Sequence, residues 1–502
     1  MITRPVHDQG LRLAARTASS ASLDWDALSG AQLVEALSRH LGEPSHRLSY
    51  LLLSVLERRV PLASSVVEFT RQWRIDGLVT PLTAEYARLA RSLPRRARPL
   101  AIVGGVVVDV TDTSRSRFTT GIQRVARETV TRWTRDAEVT LAAWDPSGRT
   151  LHGLTDDETG RVLLADAGAV APVPPGAVLI PFDATFVLPE ITVAAARTAS
   201  LRSVVRFGTR RSAAIGFDCI PVTTSETSGP GMPGAFSEYL AMLSLTDVVA
   251  PISSAAFTEY SGWAAMLPGA GLTPPRIETV GLPSQVGSVD DATVARVRAQ
   301  LGLADTPVVL SVGSHEPRKN HLNLLVAAEL NWRRGHEFSL VLVGGNAWGD
   351  GEFQAMVATL RRKGRAVTML SGVDDDVVWS LYRSARCTVF CSVNEGFGLP
   401  VVESLVSSVP VITSDFGSMR ELGEGHGALV VDPHDPTAMS DALERLLTDD
   451  ELHAELVALS DSLPRPSWDD YAAQLWQLVV GPDTGTGTSE AAATGSATAE
   501  TS

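Results

Sequence analysis

Cysteine is scarce: Cys219, Cys387 and Cys391 are the only three in 502 residues. None forms a close Cys-x-x-Cys pair, and an odd count gives no disulfide framework. Cys387 and Cys391 lie in an apolar, strand-like run and read as buried thiols. No uninterrupted apolar run approaches the ~20 residues that a membrane-crossing helix requires. Met1 to Asp8 lacks an apolar signal core. A cytoplasmic protein is expected, with any membrane contact peripheral, at the inner face of the plasma membrane. Excess positive charge is missing as well. The formal net charge is −14, which argues against general nucleic-acid binding. One local basic stretch stands out, with Arg71, Arg74, Arg88, Arg91, Arg95, Arg96 and Arg98 against Asp76 and Glu85. It reads as a solvated helix face or as a contact for an anionic membrane surface across 71–98.

What is present is organised. Hydrophobic content of 44% and charged content of 20% describe a globular chain, too long for one ordinary core. Residues 1–95 read as a helical extension. Within it Ser29-x-x-Gln32 resembles a capping box, and Leu33, Leu37 and Leu41 recur at helical spacing. The segment carries no chemical motif. From residue 96 the texture becomes short apolar strands alternating with helices. One series covers 96–285, with strands expected at 100–110, 139–144, 177–182, 203–207, 213–219 and 247–252. A second covers 286–465, with strands at 307–312, 338–343, 366–370, 387–391, 409–413 and 428–431. Continuous apolar strands between helices imply parallel sheets covered on both faces. Two such series imply two Rossmann-like domains facing across a cleft, with ligands at the strand C-termini. A last helix is expected at 466–480, anchoring back on the first domain through Trp468 and Trp476. The Thr/Gly/Ala/Ser tract 481–502 reads as disordered.

The most informative stretch is Glu395-Gly396-Phe397-Gly398-Leu399-Pro400-Val401-Val402-Glu403. Two carboxylates bracket two glycines and a proline suited to a first helical turn. Bare N–H groups at such a turn favour an anion, and two fixed acceptors beside it could grip hydroxyls. Earlier, the strand Val308 to Val312 leads through Gly313 to Arg318 and Lys319, placed for a diphosphate. Both loops fall at strand ends of one sheet.

Glu395-x7-Glu403 in this context resembles the signature of retaining glycosyltransferases with the GT-B fold, of the group 1, family 4 type. Gly344-Gly345, Leu381 to Ala385, Pro410 to Ser414 and Leu429 to Pro433 match in order. Thr120 to Val125 and Ile215 to Pro221 match more weakly in the first domain. The resemblance implies that Arg318 and Lys319 neutralise a departing nucleoside diphosphate and that Glu395 contacts the donor sugar. It implies that the backbone of Gly396, Phe397 and Gly398 holds sugar and distal phosphate, with Gly313 and Leu399 beside them. Glu403 would accept from the ribose hydroxyls, and Gly121 would allow close approach from the opposite domain. Asp218 is open between acceptor or donor contact and a turn-capping role. Phe217, Ser314, Cys391 and Ser404 depart from the residues usual in this family.

No cofactor is implied beyond a nucleotide-sugar co-substrate. GDP-mannose is favoured, because the combination of Thr120 to Arg124 with Glu316 to Asn320 looks most like bacterial mannosyltransferases of surface polysaccharides. UDP- and dTDP-hexoses are the alternatives, and the acceptor would be a glycan, a lipid-linked glycan or a small-molecule hydroxyl. A catalytically silent nucleotide-sugar-binding scaffold is the competing reading. No metal site is expected: Asp374-Asp375-Asp376 reads as a helix cap. His315 and His321 read as surface or supporting residues.

Overall fold

A computed structural model describes residues 5–89, 98–116, 120–285, 287–303, 306–345, 351–461 and 464–481. Nine strands form the first sheet: β1 Leu100–Val103, β2 Val106–Asp109, β3 Val139–Trp144, β4 Leu151–Gly153, β5 Val178–Pro181, β6 Ala184–Leu188, β7 Thr209–Gly216, β8 Val248–Pro251 and β9 Arg276–Ile277. Their spatial order is β1-β5-β4-β3-β2-β6-β7-β8-β9. Six strands form the second: β10 Val308–Val312, β11 Ser339–Val343, β12 Val367–Leu370, β13 Cys387–Phe390, β14 Val411–Ser414 and β15 Ala428–Val431. Their order is β12-β11-β10-β13-β14-β15, and every neighbouring pair is parallel. This is the α/β GT-B architecture, two Rossmann-like sheets with a helical segment ahead of them.

The second series of strands falls where the apolar runs place it. The first differs more, and β4, β6 and β9 lie outside the expected runs. The run 100–110 is two strands, because Gly105 at φ +63 turns the chain and sends β1 and β2 to separate places in the sheet. β4 runs antiparallel to both its neighbours. Residues 203–207 are not a strand: Val204–Gly208 continues the Ala195–Ser203 helix as a π-helix. Val204, Val205 and Phe207 are buried there with the leading helices, and that packing outweighs their β-branched and aromatic preference.

The leading helices Pro5–Ala18, Gly30–His40, His46–Glu57, Ala63–Asp76 and Val79–Leu89 cover one face of the first sheet. Strand alternation shows this: Val107, Phe186 and Ala214 share a core with Leu33, Tyr50 and Trp73. Val108, Val187 and Ile215 point to the other face, into the core shared with Trp468 and Leu475. The helical segment thus supplies one covered face of a mostly parallel sheet. Ser29 occupies the N-cap position of Gly30–His40, yet its side chain makes no capping bond. The buried Asp8 carboxylate accepts from Gly30 N instead, at 3.3 Å.

Three arginines of the basic stretch have partners within the fold. Arg71 pairs with Glu68 at 2.8 Å, Arg88 with Glu85, and Arg98 Nε donates to Gly176 O. Arg91, Arg95 and Arg96 lie outside the described residues, as does all of the 481–502 tail except Gly481. Among the described residues no helix is long and apolar enough to cross a membrane. The three cysteines are buried and free.

The helix Trp468–Val479 crosses back to the first domain. Trp133 Nε1, on the Gly121–Asp136 helix, donates to Ala472 O at 2.9 Å. The Trp133 and Trp476 rings meet edge to face at 5.4 Å.

Candidate active site

The site forms where the C-terminal ends of β10 and β13 meet the first domain. After β10 the chain makes a short 3-10 turn, Pro317–Lys319, ended by Asn320 in the left-handed region at φ +60. The Asn320 amide fastens that turn by donating to Cys391 O at 3.1 Å and Pro433 O at 2.6 Å. Arg318 and Lys319 are thereby aimed at the loop after β13. Arg318 Nη1 lies 2.6 Å from Glu395 Oε2 and donates to Asn394 O at 2.9 Å. Lys319 Nζ lies 2.5 Å from Glu395 Oε1 and 4.8 Å from the Phe390 ring centroid, a cation–π arrangement.

Burial on its own would raise the Glu395 carboxyl. Lys319 and Arg318 oppose it and hold it down at about 2. Burial also draws the Lys319 ammonium below its ordinary value, with Glu395 opposing. A buried carboxylate between two cations is stable only with all three charged. Because its pKa is depressed in the fold, Glu395 adds stability that is complete above its ordinary value of 4.5 and lost as the pH falls toward about 2. That stability is worth about 3 kcal/mol. Glu395→Gln is therefore expected to destabilise the chain more at pH 7 than at pH 3, as read from urea midpoints at the two values. An equal loss at both would show that the carboxylate is not held this way.

The loop continues into the helix Leu399–Val406, with Gly398 at φ +103 in the N-cap position and Pro400 in its first turn. Across the cleft, Phe217 and Asp218 follow β7. A Cβ on Gly396 would stand 2.3 Å from Phe217 O, so the two domains touch backbone to backbone here. Ser253 Oγ donates to Gly396 O at 2.5 Å, and the Asn394 amide reaches Glu259 Oε1 at 3.3 Å. Asp218 makes the local turn, accepting from Ile220 N at 3.1 Å. It also faces the cleft: burial pushes its carboxyl up to about 6, with Glu259 and Glu395 adding and Arg318 opposing. Glu403 is held from both domains. Arg124 Nη1 lies 2.6 Å from its Oε1, and Tyr382 Oη donates to its Oε2 at 2.9 Å. Gly121 stands beside Leu399 at ordinary contact distance, its would-be Cβ 3.8 Å from Leu399 Cδ1.

The structure thus gathers Arg318, Lys319, Glu395, Gly396 and Asp218 into one cluster and places Glu403 in a second. It adds partners that sequence reasoning passed over. Arg124 belongs to the quoted Thr120 to Val125 stretch but was given no role, and its partner is 279 positions away. Glu259, Ser253 and Asn394 belong to no motif. Neither does the buried Arg197, which sits 3.0 Å from Asp109, 2.6 Å from Asp112 and 3.3 Å from Glu190 at the ends of β2 and β6. There burial lifts Glu190 to about 7 against the pull of Arg197.

His315 and His321 are not at the surface. Both are buried and pack on Phe353 at 4.6 and 5.4 Å. Burial, with His315 and Lys319 adding, lowers His321 to about 3, so it is neutral at physiological pH. Asp374 takes the N-cap position of Asp375–Ser384 without a side-chain capping bond.

Residues 294–458 match the family model described as "Glycosyl transferases group 1", a span that contains Arg318, Lys319 and both glutamates. Over those residues the chain matches the group 1 glycosyltransferases. Over 395 residues it is 26% identical to the serotype-specific mannosyltransferase WbdA of Escherichia coli, a match covering 75% of this chain and 46% of that protein. Over 142 residues it is 37% identical to the O-antigen chain mannosyltransferase B of Escherichia coli, covering 28% and 37% respectively. The chain therefore spans less than half the length of these curated relatives. Among solved structures it resembles Anabaena HepE in complex with UDP, with a TM-score of 0.53 and 15% identity over 75% of this chain and 99% of that one. That likeness is one of fold.

Proposed function

We propose that this group 1 glycosyltransferase moves a hexose, mannose in preference, from a nucleoside diphosphate sugar to a hydroxyl of a glycan, lipid-linked or small-molecule acceptor. The anomeric configuration is retained and no metal takes part. The observation that carries the reading is Glu395, gripped by Arg318 and Lys319 and pressed against the first domain at Gly396. The reaction's hard step is departure of a nucleoside diphosphate while the sugar carbon gains positive character. Fixed cations and N–H dipoles aimed at the departing charge are the main means of lowering that barrier. Lys319 has three donors and Arg318 five, so both can hold Glu395 and a phosphate together. Glu395, ionised at any physiological pH, faces the sugar end and steadies the developing positive charge. The N-terminus of Leu399–Val406 receives the distal phosphate, and Glu403 accepts from the ribose. Asp218, in the cleft with its pKa near 6, contacts the acceptor or the donor sugar. Mannose is preferred because the relatives above are mannosyltransferases by name.

A thermal-shift panel of GDP, UDP, dTDP and their sugars tests this. A nucleotide that binds the folded chain raises its melting temperature by mass action. GDP and GDP-mannose are expected to give the largest rises. No response to any nucleotide would overturn the proposal, and a response to UDP or dTDP alone would replace the donor.

A further inference from the structure

We propose that Arg124 is a positioning residue of the donor site: from the first domain it holds the carboxylate of Glu403, so that ribose binding and cleft closure are coupled. This deepens the preceding reading and rests on it, since Glu403 is taken as the ribose acceptor. Arg124 stands near the start of Gly121–Asp136, in the first domain. Its Nη1 meets Glu403 Oε1, while Tyr382, from the second domain, meets Oε2. The carboxylate thus has one fixed partner on each oxygen. Each oxygen keeps another acceptor direction, enough for the two adjacent hydroxyls of a ribose.

Arg124 also stands where the chain crosses between the domains. Its Nη2 donates to Gln285 O at 3.4 Å, and its guanidinium carbon lies 5.9 Å from the Trp468 ring. Ser284 N donates to Pro466 O at 3.3 Å, joining the outgoing and returning strands of the connection. One side chain therefore touches both crossings and the ribose-binding glutamate. The Arg124 and Glu403 side chains are 24% and 11% exposed, so the pair is only partly screened. Opening the cleft would separate them and leave Glu403 with Tyr382 and water in place of the ion pair.

The test is calorimetric titration of the wild type, Arg124→Gln, Glu403→Gln and the double variant with GDP and UDP, each alongside its 2′-deoxy counterpart. Arg124→Gln is expected to weaken the nucleotide that binds by about 10-fold, the worth of one charge-assisted hydrogen bond, and to shrink the wild type's preference for ribose over 2′-deoxyribose. The double variant should bind no more weakly than Glu403→Gln, since Arg124 acts through Glu403. Arg124→Lys should restore part of the preference. Small-angle scattering at saturating nucleotide should show Arg124→Gln more extended than the wild type. If the wild type binds but Arg124→Gln binds equally well with the same ribose preference, this inference is wrong and the donor-site reading stands. If the wild type binds no nucleotide, both fall.

Discussion

Lys319→Ala is expected to cut the rate of nucleoside diphosphate release at least ~10²-fold and, by leaving the buried Glu395 with one cation, to lower the melting temperature. Its ammonium is the compact cation nearest Glu395, and it sits over the Phe390 ring. Alanine leaves Arg318 to hold Glu395 and a phosphate alone. The Arg318 guanidinium is already committed to Asn394 O, Glu316 and Glu395. Lys319→Arg is not expected to rescue, because a planar fork does not replace a point charge in that slot. Initial rates at saturating donor, with a melting curve for each variant, read both halves of the claim. Full activity in Lys319→Ala would remove the cation pair from the mechanism.

Gly396→Ala is expected to lose activity on the same scale, for a different reason. The added methyl would lie 2.3 Å from Phe217 O and 3.2 Å from Asp218 Cβ. Both neighbours belong to the opposite domain, and one is backbone. A flexible side chain cannot swing away to relieve the contact, so the domains must part. Parting displaces Asp218 from Arg318 and Glu395 by the ångström or so that already costs ~10²-fold in a positioned reaction. Phe217 and Ile252 of the first domain share one buried cluster with Phe397 and Val401 of the second, so parting should lower the melting temperature as well as collapse kcat/KM. Scattering should report a more open particle. Unchanged kcat/KM would mean that the closed contact at Gly396 is not the working state.

Much of the fold was legible because it is local. The six strands of the second sheet are short, mostly apolar runs, and the site loop is nine consecutive residues from Glu395 to Glu403. Arg318 and Lys319 could be assigned to the same site because both loops leave strand ends of one expected sheet; in the fold those strands, β10 and β13, are neighbours. What escaped was decided by partners far away in sequence. Val204 to Phe207 have strand-forming side chains, yet the leading helices hold them in a helical turn. Ser29 has the spacing of a capping box, yet the Gln32 N–H goes to Ser29 O and Asp8 takes the Gly30 N–H. His315 is a polar residue on a loop and His321 opens the helix after it, and only the fold brings Phe353 over them. Arg124 was within a recognised stretch, but nothing local points to a carboxylate on the other domain. The destination of the leading helices, one face of the first sheet, was equally invisible, because periodicity reports an apolar face and not what covers it.

The central claim is that Arg318, Lys319, Glu395 and Glu403 form one nucleotide-sugar site. Calorimetric titration of the full chain and of Glu403→Ala with GDP tests it most directly. The expected result is saturable one-site binding by the wild type and binding at least about 10-fold weaker in the variant, which loses its acceptor for the ribose hydroxyls. Equal affinity in the two proteins would contradict the account.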